Sequence, residues 1–514
     1  MRQHTRIITI VVAVALLVLF ALLALLGPAT DDDPEPPDEP VEAARSQRLV
    51  AALSAPVEEL DPHAATSEGA VMVLDQVYDT LVRLGDDLLP QPALADSWEV
   101  ADDGLTWTFE LRDDVVFHDG SPLTADDVVA SLERVADEGV DAGRLEVVEE
   151  IEAEDDHTVV LQLTEPTGAL LAHLGASPRL AIMPSEHLDA DDLAERPVGS
   201  GPFRFVTGTD TAIDLEPFDE HWGGAPQVDA LDFRVADAAT ALAALRDGDV
   251  HWVGSVPGEE MSDLEEDADV HLARRAGPEY WHLAFNFDRE PLDEVDVRQA
   301  VALALDREQI AEAARPGGAT PNHSPLPPDS FWYEEHTPFE HDPDRARELI
   351  EDVGLETQVL ELLVTDELPE SADVAEAVAE QLEAVGLEVE IRTEDLEDLL
   401  TAQAEGDFDL FALGWRGGVD PGELLHAPHH SEGSRNFQGF ADEEVDEALD
   451  AAREAHDPDV RREHLVAATR AIVDEVAYAY LFNTDVVRAW SPDLEGVELR
   501  PDGAVRFTDA RLPR

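Results

Sequence analysis

The sequence contains neither cysteine nor lysine among its 514 residues. The absence of cysteine excludes disulfide bonds, thiolate metal sites and cysteine nucleophiles. The absence of lysine excludes Schiff-base chemistry and a P-loop, in which a lysine contacts the nucleotide phosphates. Several large classes of enzyme and nucleotide-binding protein are therefore excluded before any motif is considered.

Basic residues of any kind are scarce. The 33 basic residues, all arginine, face 116 acidic residues, which gives a formal net charge of −83. A surface of this charge repels phosphate backbones, so nucleic acid is excluded as a partner. The carboxylates of such a surface also repel one another, and the folded protein tolerates this repulsion where salt screens charges beyond a few Å. Because the carboxylates are spread along the chain, we interpret the acidity as adaptation to saline surroundings or as a genomic bias, rather than as a device that collects cations for transport.

Recognisable catalytic motifs are missing as well. The sequence has no Gly-x-Ser-x-Gly elbow, no His-Glu-x-x-His motif and no calcium-binding loop. Paired carboxylates cannot be singled out among so many acids. The residues therefore predict no enzymatic activity and no cofactor.

The N terminus carries the longest uncharged run of the chain. Residues 7–26 are almost entirely apolar and follow Arg2 and Arg6. Such a run can span a bilayer, and the arginines favour the cytoplasmic side. We expect residues 1–29 to be an uncleaved membrane anchor, with a signal segment cleaved after Ala29 as the alternative. Residues 30–46, rich in Pro, Asp and Glu, are expected to form a disordered linker.

Residues 94–135 carry the densest set of local signals. Apolar and polar residues alternate on both sides of Asp102, Asp103 and Gly104, which predicts a β-hairpin. Thr124 followed by Asp127 predicts the N-terminal cap of a helix. Further on, from residue 342, strands alternate with helices, which predicts crossover connections and a largely parallel sheet in that region.

The run LADSWEVADDGLTWTFELRDDVVFHDGSPLTADDVVASLERV at 94–135 resembles the family 5 extracytoplasmic solute-binding proteins of ABC transporters. That family includes dipeptide-, oligopeptide- and nickel-binding members. The VGSGPF turn at 198–203 and the strand YWHLAFNF at 280–287 are similar to the same family. The resemblance implies an α/β, two-lobed periplasmic-binding-protein-like fold (type II, cluster C-like), with an extra subdomain in lobe 1.

The resemblance also implies a domain plan and a function. Lobe 1 would comprise residues 47–275 and 482–514, with a subdomain inserted at about 90–195, and lobe 2 would comprise residues 276–481. Hinge strands would cross near residues 270–280 and near 480. The protein would capture a peptide or similar small solute between the lobes, as a monomer on the outer face of the cytoplasmic membrane, and deliver it to ABC permease subunits. Without cysteine it cannot be a lipoprotein of the kind common among such relatives.

Dipeptide-binding relatives suggest a test of ligand class. They hold the peptide amine with an Asp at the position of Gly418 and the carboxylate with an Arg at the position of Thr365. Because both charged anchors are missing, free dipeptides are disfavoured, while longer peptides or another solute remain open. The residues predicted to bind the ligand are Ser67, Glu68, His282, Thr365, Trp415, Arg416, Gly417, Gly418 and Asp420. For Ser67 and Glu68 a plain helix-capping role is the alternative.

Three closely spaced histidines, His426, His429 and His430, could meet at a metal ion if their segment were helical. We favour a structural role and predict no metal site, because Pro428 should interrupt the helix. Two alternative functions also stay open: a peptide-binding surface receptor or chaperone-like module, and, least favoured, an extracellular hydrolase.

Overall fold

A computed structural model describes residues 47–188, 190, 192–354, 359–415, 418 and 420–513 of the chain. The predicted anchor and linker (residues 1–46) and the predicted site residues Arg416 and Gly417 lie outside the described residues. Among the helices that the structure describes, none combines the length and the apolar character needed to cross a membrane. Residues Ser46–Arg514 cluster as one compact unit, so the boundaries drawn between two lobes remain a prediction.

The described part of the chain contains strands β1 (Arg48–Leu53), β2 (Val82–Leu84), β3 (Pro90–Pro92), β4 (Ala95–Val100), β5 (Thr106–Leu111), β6 (Val148–Asp155), β7 (Thr158–Leu163), β8 (Phe203–Thr209), β9 (Ala212–Pro217), β10 (Ala230–Val235), β11 (Trp252–Val253), β12 (His271–Phe285), β13 (Ala319–Pro321), β14 (Val359–Thr365), β15 (Glu388–Glu394), β16 (Leu410–Trp415) and β17 (Tyr478–Trp490).

Its α-helices are α1 (Glu68–Val77), α2 (Ala125–Glu138), α3 (Leu170–Gly175), α4 (Ala238–Asp247), α5 (Gly258–Glu265), α6 (Val295–Ala304), α7 (Arg307–Ala314), α8 (Pro343–Val353), α9 (Ser371–Ala384), α10 (Leu396–Glu405), α11 (Pro421–His429), α12 (Glu443–Glu454) and α13 (Pro458–Asp474).

A single large sheet organises the structure, in the order β15-β14-β16-β12-β17-β11-β1-β10-β9-β8, with β13 paired to β17. Strand β14 pairs in parallel with both β15 and β16, which confirms the crossover connections predicted for this region. Strand β12 pairs antiparallel with both β16 and β17, so the complete sheet is mixed.

The two longest strands, β12 and β17, connect the two ends of this sheet. Residues 271–276 of β12 pair with the end of β17, whereas residues 280–285 pair with its beginning and with β16. Between these two stretches the register shifts, at Gly277, Pro278 and Glu279. Strands β12 and β17 contain the segments predicted to form the hinge.

The half of the sheet that contains β14 is covered by helices on both faces. Leu362 belongs to the buried cluster that includes Val301 and Val378 of the helices on one face. Its neighbour Leu363 belongs to the cluster that includes Leu399 and Leu425 of the helices on the other face. Successive strand residues point to opposite faces. A strand buried on both faces therefore reads as a run of consecutive apolar residues, as residues 362–364 of β14 do.

The densest stretch of local signals contributes β4 and β5 to a separate four-stranded sheet, in the order β4-β5-β7-β6. Strands β4 and β5 form the predicted hairpin. The backbone N–H of Thr124 donates to Asp127 Oδ2 at 2.9 Å, which confirms the predicted cap of α2. Helix α1 ends at Val77, and residues 82–84 form β2.

Candidate ligand-binding cavity

A cavity of about 800 Å³ opens beside the point where β12 changes register. Its walls come from α1, β2, residues 175–178, the interrupted ladder between β12 and β17, and residues 500–506. A volume of this size falls within the range of about 300–1,000 Å³ that is common for small-molecule sites. The cavity is therefore the candidate ligand-binding site.

Arginine is concentrated around this cavity. Six arginines and five acidic residues line it, whereas the whole chain has 33 basic residues against 116 acidic ones. The cavity is therefore far less negative than the rest of the protein, and it favours a solute that carries negative charge. The arginines are Arg83, Arg144, Arg315, Arg488, Arg500 and Arg506.

Several of these arginines are already neutralised by a carboxylate. Arg500 Nη2 lies 2.6 Å from Asp502 Oδ2. Arg506 donates to Asp79 Oδ1 at 3.0 Å, and its other terminal nitrogen lies 3.5 Å from Asp75 Oδ1. Such paired guanidinium groups fix the wall of the cavity but have little charge left for a ligand.

Arg83 is different, because its side chain makes no hydrogen bond and no ion pair with any residue that the structure describes. It is exposed and sits on the short strand β2 between buried Val82 and Leu84. Burial of part of the side chain, followed by repulsion from Arg506 and Arg500, lowers the pKa of Arg83. An anion bound here would offset both effects by favouring the charged guanidinium group, so Arg83 is the strongest candidate for an anion anchor.

Two buried polar atoms at the cavity wall also make no hydrogen bond with described residues. These atoms are Arg488 Nε, a donor, and Asp75 Oδ2, an acceptor. Burial raises the pKa of the Asp75 carboxyl group. Since buried polar groups are normally hydrogen-bonded, the cavity offers both a donor and an acceptor to a polar solute.

Of the residues predicted to bind the ligand, Glu68 and Gly418 line the cavity. Ser67 instead caps α1, because its hydroxyl oxygen accepts from the backbone N–H of Ala70 at 3.2 Å. The capping alternative therefore describes Ser67, while Glu68, exposed in the first turn of the same helix, faces the cavity.

Trp415 lies at the end of β16, where the guanidinium carbon of Arg435 stands 4.4 Å from the centre of its ring. Thr365, at the end of β14, is fully buried, and its hydroxyl oxygen accepts from the backbone N–H of Glu367 at 3.3 Å. Neither residue belongs to the described cavity lining.

His282 is buried inside the protein, with its ring stacked on Tyr478 at 4.2 Å and edge-on to Phe411. Burial lowers its pKa to about 3. This residue is a core histidine in the described structure, because the large sheet places its side chain among aromatic rings away from the cavity.

Asp420, predicted to contact the ligand, is committed elsewhere. It is buried, with 1% of its surface exposed, and its two oxygens lie 2.7 and 2.9 Å from the guanidinium nitrogens of Arg461. Its carboxylate also accepts from the backbone N–H groups of Gly422 and Glu423 at the start of α11. Arg461 and these amides hold the pKa of Asp420 below its usual range despite its burial. The described geometry therefore gives Asp420 a structural role.

The arginines of the cavity and Asp75 are absent from the residues predicted to bind the ligand. A signal was available for Arg83, since a basic residue between two apolar residues of a short strand must point away from the core. In a chain with so few basic residues, an arginine in such a position is a candidate for binding a ligand. The partners of Arg506 lie 427 and 431 residues away in sequence, and no local pattern indicates them.

Three comparisons with known proteins relate this chain to a family. The family model described as "Bacterial extracellular solute-binding proteins, family 5 Middle" matches residues 90–436. The chain is 27% identical over 489 residues to the glutathione-binding protein GsiB of Escherichia coli O1:K1 / APEC, covering 91% of this chain and 95% of that protein.

Solved structures give the same result for the fold. HbpA2 from Haemophilus parasuis superposes with a TM-score of 0.87 at 25% identity, covering 91% of this chain and all of that one (100%). A nickel ABC transporter protein from Bacillus halodurans superposes with a TM-score of 0.82 at 26% identity, covering 90% and 100%.

Proposed function

Because the chain belongs to family 5 of the bacterial extracellular solute-binding proteins, the substrate-binding components of ABC importers, we propose that it captures a peptide-sized anionic solute and delivers it to a membrane permease. This membership confirms the predicted family and the predicted two-lobed α/β fold class. The observation that carries the proposal for the ligand is Arg83, a cation without a carboxylate partner in the described wall of the cavity.

The anionic end of the solute would bind at Arg83. Hydrogen bonds between a guanidinium group and a carboxylate are charge-assisted and often bidentate, which adds orientation as well as affinity. The neighbouring Arg506 and Arg500 add positive potential, although their own carboxylate partners reduce it. Arg488 Nε supplies a further donor.

The amino group of the solute would bind on the acidic side of the cavity. Glu68 lies at its wall, and Asp75 Oδ2 is an acceptor without a described hydrogen bond. A cavity with separate cationic and anionic groups suits a zwitterion that has at least one carboxylate. The name of the relative GsiB supports glutathione, or a peptide of similar size, as the ligand class.

We propose that binding works by closure of two lobes about β12 and β17. The proposed lobes already touch beyond the cavity: His173 Nε2 lies 2.7 Å from Glu423 Oε1, and Arg461 donates to the carbonyl oxygen of Gly168 at 3.0 Å. The solute would favour the closed form only by its higher affinity for that form. The permease would then recognise the closed protein.

The location is extracytoplasmic, as in the rest of the family. We propose further that the apolar N-terminal segment of residues 7–26 holds the protein at the membrane, or directs its export before cleavage, and that the folded unit acts as a monomer. N-terminal sequencing of the protein from its native membrane distinguishes the first two cases, since cleavage would leave a chain that begins near Thr30.

Mass spectrometry of small molecules released from the purified protein tests the ligand class directly. We expect a carboxylated peptide, and calorimetry with glutathione or with that peptide should then give one site per chain. A neutral or cationic solute that binds with one-to-one stoichiometry would contradict the anionic ligand class while leaving the transport function intact. Failure of any solute to bind would contradict the function itself.

A further inference from the structure

His426 and His430 lie one helical turn apart at the end of α11. The backbone N–H of His430 donates to the carbonyl oxygen of His426 at 3.0 Å, so the helical pattern continues past Pro428. The prediction that Pro428 interrupts the helix is therefore wrong, because α11 includes Pro428 and the hydrogen bond from His430 to His426 spans it. As a result the two imidazole rings stack in parallel, 4.5 Å apart with an interplanar angle of 6°.

Asp450 faces both rings from the neighbouring helix α12. Its Oδ1 atom lies 3.8 Å from His426 Nε2 and 3.6 Å from His430 Nε2. The three candidate donor atoms all lie within 4.8 Å of one another. At these distances no hydrogen bond forms, although the three polar atoms converge on one point.

The two histidine nitrogens are buried and unpartnered. Neither Nε2 atom has a hydrogen-bond partner in the described structure, and His430 as a whole is only 8% exposed. Buried polar atoms without a partner are uncommon in folded proteins. Two such atoms aimed at the same carboxylate indicate that a further group belongs between them.

We propose that His426, His430 and Asp450 bind one divalent transition-metal cation, with Zn²⁺ as the reference ion. Two imidazole nitrogens and one carboxylate oxygen form a donor set that suits Zn²⁺ and its neighbours in the first transition series. Ligands about 2.1 Å from a tetrahedral zinc ion are separated from each other by roughly 3.4 Å. The distances of 3.6 and 3.8 Å therefore need only a small contraction.

Binding of a metal ion at His430 must change the position of the ring proton and one hydrogen bond of the ring. The backbone N–H of Glu432 donates to His430 Nδ1 at 3.1 Å, so the neutral ring carries its proton on Nε2. A metal ion at Nε2 requires that proton to move to Nδ1, and the Glu432 N–H must then turn to solvent. Glu432 is exposed, so water can accept this hydrogen bond at a small cost.

Two further groups face the cluster. Arg453 Nη2 lies 3.5 Å from Asp450 Oδ1 and competes with the cation for this oxygen. Asp446 Oδ1 lies 3.9 Å from His430 Nε2, but both of its oxygens accept from Ser431. Water is therefore the expected fourth ligand. Because none of the three ligands lines the proposed solute cavity, the cation would join α11 to α12 and would not be the transported cargo.

Calorimetric titration of the full, metal-free chain with Zn²⁺ tests this site. The buffer should contain molar NaCl and excess Mg²⁺, so that the many surface carboxylates are already screened or occupied. We expect one site with micromolar affinity or tighter, and Co²⁺ bound there should show the intense visible absorption of tetrahedral coordination. Zinc should also raise the midpoint of thermal unfolding, because it binds the folded state alone.

Single variants separate this site from non-specific binding. His426→Ala, His430→Ala and Asp450→Asn should each weaken Zn²⁺ binding at least tenfold and abolish the cobalt spectrum. His157→Ala removes an exposed histidine of the β6–β7 turn and serves as the matched control, with unchanged binding. The variants should keep the circular dichroism spectrum and the solute affinity of the parent chain. Zinc affinity that stays the same in His426→Ala and His430→Ala, or no binding by the parent chain, would overturn the proposal.

Discussion

Arg461 holds the carboxylate of Asp420 with two guanidinium nitrogens, at 2.7 and 2.9 Å, in a buried ion pair. The same arginine donates to the carbonyl oxygen of Gly168, on the opposite side of the contact between the proposed lobes. Asp420 in turn caps α11. One ion pair thus connects the start of α11, helix α13 and the segment before α3.

Removal of this carboxylate should destabilise the protein. Asp420→Ala leaves the buried Arg461 without its partner, and loss of one member of a buried pair typically costs about 3–5 kcal/mol. The measurement is the free energy of unfolding in denaturant. Asp457→Ala removes the comparable cap of α13, whose carboxylate accepts from Asp459 and Val460 but has no buried arginine. It should cost only about 1 kcal/mol. Loss of solute binding by Asp420→Ala at unchanged stability would instead support its predicted contact with the ligand.

Substitution of Arg83 should weaken the binding of an anionic solute without unfolding the protein. We expect Arg83→Ala to lower the affinity by a factor of about 10–100, in line with about 1.5–3 kcal/mol for a hydrogen bond to a charged group. Arg83→Lys should recover part of the affinity, since it keeps the charge but loses the planar fork. Arg204→Ala is the matched control, because Arg204 pairs with Glu216 on an exposed hairpin outside the cavity lining. Equal affinity in Arg83→Ala and Arg204→Ala would remove Arg83 from the site.

Buried histidines should make stability depend on pH. Burial lowers the pKa of His282 and of His429 to about 3, from an ordinary value of 6.5. Between these values the unfolded chain binds protons that the folded chain does not, so stability falls as the pH drops. The slope should approach about 1.4 kcal/mol per pH unit for each histidine.

The variant His282→Phe tests the contribution of one histidine. Phenylalanine preserves the aromatic contacts with Tyr478 and Phe411 and removes the titrating group. Between about pH 6.5 and pH 3, the free energy of unfolding of the variant should therefore depend less steeply on pH than that of the parent chain, by the contribution of one histidine. A slope identical to that of the parent chain would mean that His282 titrates in the folded protein as it does in water.

Salt should stabilise the folded chain. With a net charge of −83, repulsion between carboxylates opposes folding, and molar salt shortens its range to about 3 Å. The midpoint of thermal unfolding should rise from low to molar NaCl. Sodium sulfate at equal ionic strength serves as a comparison, because it also strengthens apolar burial. A midpoint that is flat in NaCl would argue against adaptation to a saline environment.

Local features of the fold could be predicted from sequence because they depend on neighbouring residues. The hairpin around Gly104 follows from alternation and a turn, and the cap of α2 follows from the spacing of Thr124 and Asp127. The start of α13 follows from Asp457 and Pro458, since an aspartate cap followed by a proline without an N–H suits the first turn of a helix. The family was recognisable for the same reason, since its motifs are continuous stretches.

The binding site could be predicted only in part. Glu68 and Gly418 line the cavity, so their predicted contact with a ligand stays a prediction. Asp420 instead pairs with Arg461, and His282 is buried in the core. A charged residue binds a ligand only if no residue of the protein neutralises it first. That condition depends on contacts between distant parts of the chain, such as Asp79 with Arg506, 427 residues apart.

The sequence by itself determined the strong negative charge, the chemistry that lack of cysteine and lysine rules out, the local helices and turns, and the family. Only the tertiary structure decided which of the few arginines remain available. It paired Arg461 with Asp420 and Arg506 with Asp79, and it left Arg83 facing the cavity. The physical reason is that neutralisation of a charge acts through space at a few Å, whereas position along the chain constrains only near neighbours.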